Sequence, residues 1–221
     1  MCGRYTLFVD PADLQVLFPE VVIPEELSPR YNIAPGQPVA VIANNDPGRI
    51  VFFRWGLVPS WAQDPAIGNR MINARAETLA QKPAFRAAYR SRRCLVLADG
   101  FYEWRKQGGR KQPFYVRLRS GKPFAFAGLW ESWRSPQDET LLSCTIITTE
   151  ANELLAPIHE RMPVILDPAV YDLWLDPAAR NPIDLQKWLR PYPAAEMVAY
   201  PVSPRVNNPD HEGPENLKPE T

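Results

Sequence analysis

The sequence predicts a single α+β domain whose strands pair mainly antiparallel, with helices at the periphery. Three observations carry this. Apolar, β-branched runs recur at hairpin spacing and outnumber the segments with helical periodicity. The 221 residues, 45% of them hydrophobic, fit one core comfortably and two cores poorly. The 25 prolines are scattered among aromatic and aliphatic residues, which points to short elements joined by long ordered loops and not to disorder.

The elements follow in order. Residues 10–19 read as a helix: Asp10 can cap it, Pro11 sits in its first turn, and Leu14, Leu17 and Phe18 recur at helical spacing. Residues 19–36 are proline-punctuated loop. Residues 39–43 and 50–55 are strands joined by the turn-rich stretch Asn44 to Gly48. Residues 56–72 form an ordered loop, and 76–89 a helix interrupted near Pro83. The apolar run 94–98 is a strand that residues 100–105 continue after a bend. Gln107-Gly108-Gly109-Arg110 is a hairpin turn into a strand over 113–118. Residues 124–133 and 141–148 are buried strands, 152–156 a short helix, 164–166 a strand, 168–175 and 183–190 helices, and 198–203 a last strand. The main domain is expected over 1–208, and the Pro-, Asn- and Glu-rich stretch 209–221 as a flexible tail.

Net charge is zero, with 25 basic and 25 acidic residues, yet the charge is unevenly placed. Residues 70–119 hold thirteen Lys/Arg against three Asp/Glu. Arginine predominates there, which suits planar, bidentate phosphate contacts; an ordinary solvated face explains the charge equally well. The interleaved Trp55, Trp61, Phe101, Tyr102 and Trp104 favour the first reading, because basic grooves with stacking rings hold single-stranded nucleic acid. Cys2, Cys94 and Cys144 lie far apart without C-x-x-C spacing, and only two histidines occur. This argues against a disulfide frame or a zinc site, so no metal is expected. A signal peptide and a membrane-crossing apolar stretch are both missing from the pattern, which implies a cytoplasmic protein without membrane partners.

Four segments are chemically loaded. Cys2 follows the initiator methionine, and removal of Met1 would leave an α-amine and a thiol on adjacent carbons. With ordinary pKa values of about 7.7–8.0 and 8.5, both are partly reactive near neutrality. An aldehyde can form an imine with that amine, and intramolecular attack by the thiol then closes a thiazolidine. In Asn73-Ala74-Arg75-Ala76-Glu77, Asn73 can orient a carbonyl or sugar oxygen or else cap a helix. In Asp99-Gly100-Phe101-Tyr102-Glu103-Trp104, Glu103 sits among aromatic rings that would raise its pKa, unless it faces outward on an alternating strand. In Pro157-Ile158-His159-Glu160-Arg161-Met162-Pro163, prolines hold the loop around the one histidine outside the tail.

Six segments together, Met1-Cys2-Gly3-Arg4, Tyr31-Asn32-Ile33-Ala34-Pro35, Arg54-Trp55-Gly56-Leu57-Val58-Pro59 and the three last described, closely resemble the SOS response-associated peptidase (SRAP) family from residue 2 to about 208. The resemblance implies the SRAP fold with a barrel-like β core, and covalent capture of abasic sites in single-stranded DNA as part of the DNA damage response. By it, Cys2 is the crosslinking nucleophile, Asn73 holds Cys2 and the sugar in register, Glu103 is the general acid/base and His159 assists sugar opening or the Schiff-base stage. Arg4, Arg75, Arg86 and Arg161 are implied as DNA contacts, and Trp61 as the wedge against a flanking base; Ala62 stands where some members carry a second tryptophan. No cofactor is implied, and a monomer, nucleoid-associated when bound to DNA, is expected. Three alternatives remain: a cysteine peptidase using Cys2 with His159 and Asn73 or Glu103, active on itself or on other chains; a non-covalent single-strand binder; and a lesser lyase action that nicks abasic DNA through the imine when the thiol cannot close the ring.

Overall fold

The computed structural model describes residues 2–220, apart from the side chains of Gln107 and Pro182. In chain order its strands are β1 (Arg4–Leu7), β2 (Arg30–Ile33), β3 (Pro38–Ala43), β4 (Asp46–Trp55), β5 (Asn73–Arg75), β6 (Arg93–Ala98), β7 (Gly100–Gln107), β8 (Arg110–Leu118), β9 (Phe124–Arg134), β10 (Thr140–Glu150), β11 (Arg161–Pro163), β12 (Ile165–Leu166) and β13 (Met197–Pro201). The α-helices are short: α1 (Pro11–Leu17), α2 (Arg86–Ser91), α3 (Tyr171–Leu175) and α4 (Pro182–Gln186).

Strands β10, β4, β3, β6 and β9 close into a barrel, because β9 pairs with β10 as well as with β6. Every pairing around that ring is antiparallel except β10 with β4, which is parallel. Tyr5, Trp55 and Phe126 meet edge to face in the core, with centroids 5.3 and 5.7 Å apart. All six residues of β6 are buried, which is why the five after Arg93 form an unbroken apolar run with no alternation. A second, wholly antiparallel sheet has the order β13-β8-β7-β1-β2.

Asp99 carries the chain from the barrel into this sheet, between β6 and β7. It is buried, and its carboxylate accepts from Thr6 Oγ1 (2.5 Å), Phe8 N (2.5 Å) and Val9 N (2.9 Å), fixing β1 against the junction. Gly100 follows because a Cβ there would lie 2.1 Å from the Tyr115 hydroxyl.

Several expectations need correction. Residues 76–89 do not form one helix: a 3₁₀ turn spans Ala76–Thr78, and α2 begins only at Arg86, beyond Pro83. Residues 152–156 form turns, closed by Leu155 N and Ala156 N donating to Asn152 O. The loop expected over 19–36 contains β2, and α4 ends at Gln186 instead of continuing to 190.

The stretch expected to be a flexible tail is tied down. Asn216 is fully buried, Glu212 pairs with Arg30 at 2.7 Å, and the carbonyl of His211 accepts from Asn32 and Asn216. Tyr102, Tyr115, Val202 and Val206 form a small core between the tail and the sheet, with Phe8, Trp104, Tyr200 and Leu217 packed on it. Polar composition concealed this, because the partners lie far away in sequence. No helix among the described residues is long and apolar enough to cross a membrane.

Candidate active site

The site forms where three elements converge. Strand β1 runs antiparallel to β7 with Arg4 opposite Tyr102, so the chain towards Cys2 runs alongside Glu103. Strand β10 brings the other two. Strand β4 pairs with its Ser143 and Cys144, and β5 joins the same edge further on, with Asn73 opposite Ile146. Between these pairings the chain loops out over residues 56–72. Gly56 and Gly68 let the ends of that excursion touch: a Cβ on Gly56, whose φ is +131°, would lie 2.7 Å from the Gly68 carbonyl. Beyond the end of β10, the turns at 152–159 return the chain as β11, with Arg161 opposite Glu150.

Cys2 is fully buried, and its carbonyl accepts a 2.7 Å hydrogen bond from Asn73 Nδ2. Asn73 is therefore no helix cap but a strand residue whose side chain clamps the start of the chain. Its Oδ1 is buried with no hydrogen-bond partner among the described residues. Burial, reinforced by the Glu103 carboxylate, pushes the Cys2 thiol well above its ordinary range. Glu103 faces inward, 1% exposed, and burial raises its carboxyl to about 7. His159 and Glu103 line one cleft of about 390 Å³ together with Trp104, Lys106, Lys111 and Asn207. The backbone N–H of Arg161 donates to His159 Nδ1 at 3.0 Å, shorter than the 3.3 Å from Nδ1 to Arg161 O, which favours the neutral tautomer with its proton on Nε2. Burial holds His159 below its ordinary pKa, and the Lys106 ammonium acts in the same direction.

The expected DNA contacts divide into two groups. Arg75 and Arg86 are exposed, and Trp61 is 59% exposed on the 56–72 excursion, which Trp133 Nε1 anchors by donating to Ala62 O at 2.7 Å. Arg4 and Arg161 are committed internally. Arg4 NH1 donates to Asn32 Oδ1 (2.9 Å) and Val206 O (2.7 Å), and NH2 to Asn207 O (3.1 Å). Arg161 makes a bidentate pair with Glu77 (2.7 and 3.0 Å) and donates to Thr148 O (2.6 Å), joining β11 to the turn after β5. Their fork geometry serves carboxylate and carbonyl acceptors from distant segments. Part of the basic stretch is likewise structural: buried Arg93 donates to the carbonyls of Tyr89, Arg90, Trp174 and Asp176 at the ends of α2 and α3, and Arg92 pairs with Glu131.

Sequence reasoning missed Lys106, Lys111 and Asn207 at this cleft. Lys106 and Lys111 flank the double-glycine turn and become a pair only through its register, and Asn207 sits in the stretch next to the expected tail.

Comparison with known proteins gives a consistent result. Residues 1–209 match the family model described as SOS response associated peptidase (SRAP). The abasic site processing protein YoqW of Bacillus subtilis is 48% identical over 222 residues, 99% of each chain. The abasic site processing protein YoaM of the same organism is 46% identical, covering 98% of this chain and 97% of its own. The abasic site processing protein HMCES of Xenopus tropicalis is 32% identical over 86% of this chain and 66% of its own. A crystal structure of a Bacteroides thetaiotaomicron protein shares the fold with a TM-score of 0.90 at 24% identity, covering 100% of both chains.

Proposed function

The chain belongs to the SOS response associated peptidase (SRAP) family, and from that premise we propose that it captures abasic sites in single-stranded DNA as a covalent thiazolidine through Cys2. The observation that carries the reading is that buried Cys2, held by Asn73 and sensing the Glu103 carboxylate, lies beside the cleft that Glu103 and His159 line. The names of the Bacillus relatives assign abasic site processing to them, and 48% and 46% identity over nearly the full length supports the same substrate for this chain.

With Met1 removed, the Cys2 amine adds to the C1′ aldehyde of the ring-opened sugar. The carbinolamine loses water to give an imine. The thiol sulfur then adds to the imine carbon, and its proton goes to the imine nitrogen as the ring closes. Imine formation needs an acid that can also act as a base, and a carboxyl held at about 7 supplies both forms at neutral pH. His159, with its proton on Nε2, can donate to the sugar oxygen during opening. Asn73 fixes the Cys2 backbone through Nδ2 and offers Oδ1 to a sugar hydroxyl or the attacking amine. Arg75, Arg86 and Trp61 provide phosphate and base contacts on the exposed side, where Arg4 and Arg161 brace the site from within.

A peptidase would need a thiolate with an imidazole oriented beside it. Here burial holds the thiol protonated, and the Asn73 amide nitrogen is engaged by Cys2 O. Thiazolidine chemistry has no such requirement, because the amine attacks first. The test is a denaturing gel of protein shown by mass to begin at Cys2, mixed with single-stranded DNA holding one abasic site. A retarded band that needs both the lesion and Cys2, and vanishes in Cys2→Ala, is expected. No band would refute covalent capture and leave peptidase action or simple strand binding.

A further inference from the structure

The cleft that Glu103 and His159 line takes two cationic side chains, both from the β7–β8 hairpin. Its register sets Lys106 directly opposite Lys111, across a turn made by Gly108 (φ +57°) and Gly109 (φ +78°). Two positive φ values at the turn are the signature of a tight hairpin, so the pair is held in place. Like charges directly opposite on a ladder destabilise it. Neither ammonium makes an ion pair among the described residues, yet both line the cleft that holds Glu103 and His159. On the remaining wall, Trp104 is fixed by its Nε1 donating to Asn207 Oδ1 at 2.7 Å. A site with this layout is completed by an anion bridging the two lysines.

We propose that Lys106 and Lys111 form a phosphate subsite that holds a single phosphodiester flanking the abasic sugar. This rests on the reading of the cleft as an abasic-site centre. A phosphodiester is the anion that arrives bonded to the sugar, so fixing it holds C1′ at the cleft that Glu103 and His159 line. Lysine suits the task, because its three rotatable donors can follow a non-bridging oxygen as the sugar changes from ring to open chain, whereas an arginine fork fixes one orientation. The pair also accounts for a cost the hairpin otherwise carries without return.

The test uses full-length Cys2→Ala protein, so that capture is reversible, and single-stranded DNA with one abasic site. Affinity is followed against salt by fluorescence anisotropy, with and without Lys106→Gln/Lys111→Gln. The slope of log K against log salt should fall by about 0.7, the value for one phosphate on a single strand. A neutral methylphosphonate at one of the two positions flanking the lesion should weaken binding of the parent and leave the double variant unaffected. An unchanged slope, or a double variant as sensitive as its parent to methylphosphonate at both positions, would overturn the subsite. Melting temperature should stay level or rise, because a like-charge pair is removed. Cys2-intact protein is run in parallel on a denaturing gel. No adduct there would overturn the abasic-site reading and this subsite with it. An adduct together with an unchanged slope would overturn the subsite alone.

Discussion

Glu103→Gln should stabilise the protein at alkaline pH while crippling its chemistry. The carboxyl is 1% exposed and raised by burial from 4.5 to about 7. Each pH unit of difference is worth 1.36 kcal/mol, so the charged form costs the folded state about 3 kcal/mol. The sign follows from proton linkage. With its folded value above its unfolded one, the group's favourable contribution is complete below about 4.5 and is lost as pH rises through about 7. Glutamine keeps the shape and never ionises. At pH 8 the variant should therefore be more stable by up to about 3 kcal/mol, roughly 6–12 °C in melting temperature for a chain of this size. At pH 4.5 the two proteins should melt together. Differential scanning fluorimetry from pH 4.5 to 8.5 reads this, and the denaturing gel reads adduct formation and its reversal, both of which should slow. A stability gain equal at all pH values, or a loss at pH 8, would refute the reasoning. Unchanged rates in both directions would remove Glu103 from the mechanism.

Three further outcomes are expected. Asn73→Ala removes the 2.7 Å bond to Cys2 O and should slow adduct formation about tenfold, in line with about 1–1.5 kcal/mol for one hydrogen bond, while anisotropy shows nearly unchanged affinity for DNA. Glu77→Gln breaks the bidentate pair with Arg161; with the carboxylate half-exposed, the loss should be about 1 kcal/mol by urea midpoint at pH 7. That difference should fade as pH drops, because Arg161 holds the Glu77 pKa below its ordinary value and the pair's contribution disappears once the carboxyl protonates. Gly100→Ala drives a methyl to within 2.1 Å of the Tyr115 hydroxyl and should cost several kcal/mol or prevent folding, judged by the urea midpoint or by soluble yield.

Local signals in the sequence account for the barrel and little of what surrounds it. The apolar runs of β6, β9 and β10 and the double-glycine turn before Arg110 each carry their own explanation in neighbouring residues. The strands β1, β2, β5 and β11 are three or four residues long and exist because a distant edge is free to pair with them. Asn73 shows the difference well. Its neighbours fit a helix start, but the open edge of β10 beyond Cys144 makes it a strand residue, and that pairing points its amide at Cys2. The residue types at the site were legible through the family resemblance. The commitment of Arg4 to carbonyls at 206 and 207, and of Arg161 to Glu77 and Thr148, depends on tertiary neighbours that no short window contains.

The burial of Cys2 bears on the order of the proposed reaction. A free thiolate in the cleft would compete with the amine for the aldehyde and would invite oxidation. Here burial and the adjacent Glu103 charge both oppose thiolate formation, so the thiol waits as S–H. Ring closure then moves one proton from sulfur to the imine nitrogen, and Glu103, poised at about 7, is the neighbouring group able to pass it. The same poise would serve the reverse path, in which the C–S bond breaks to regenerate thiol and imine, water adds to the imine carbon, and the carbinolamine nitrogen is protonated before the C–N bond breaks. A carboxyl of ordinary pKa would stay ionised at neutrality, leaving too little acid for dehydration of the carbinolamine. One that remained protonated would lack the base for the thiol step. In the proposed reaction, desolvation of Glu103 by the sheet would be the physical cause that lets one residue serve both directions, at the expense of the stability that glutamine should restore.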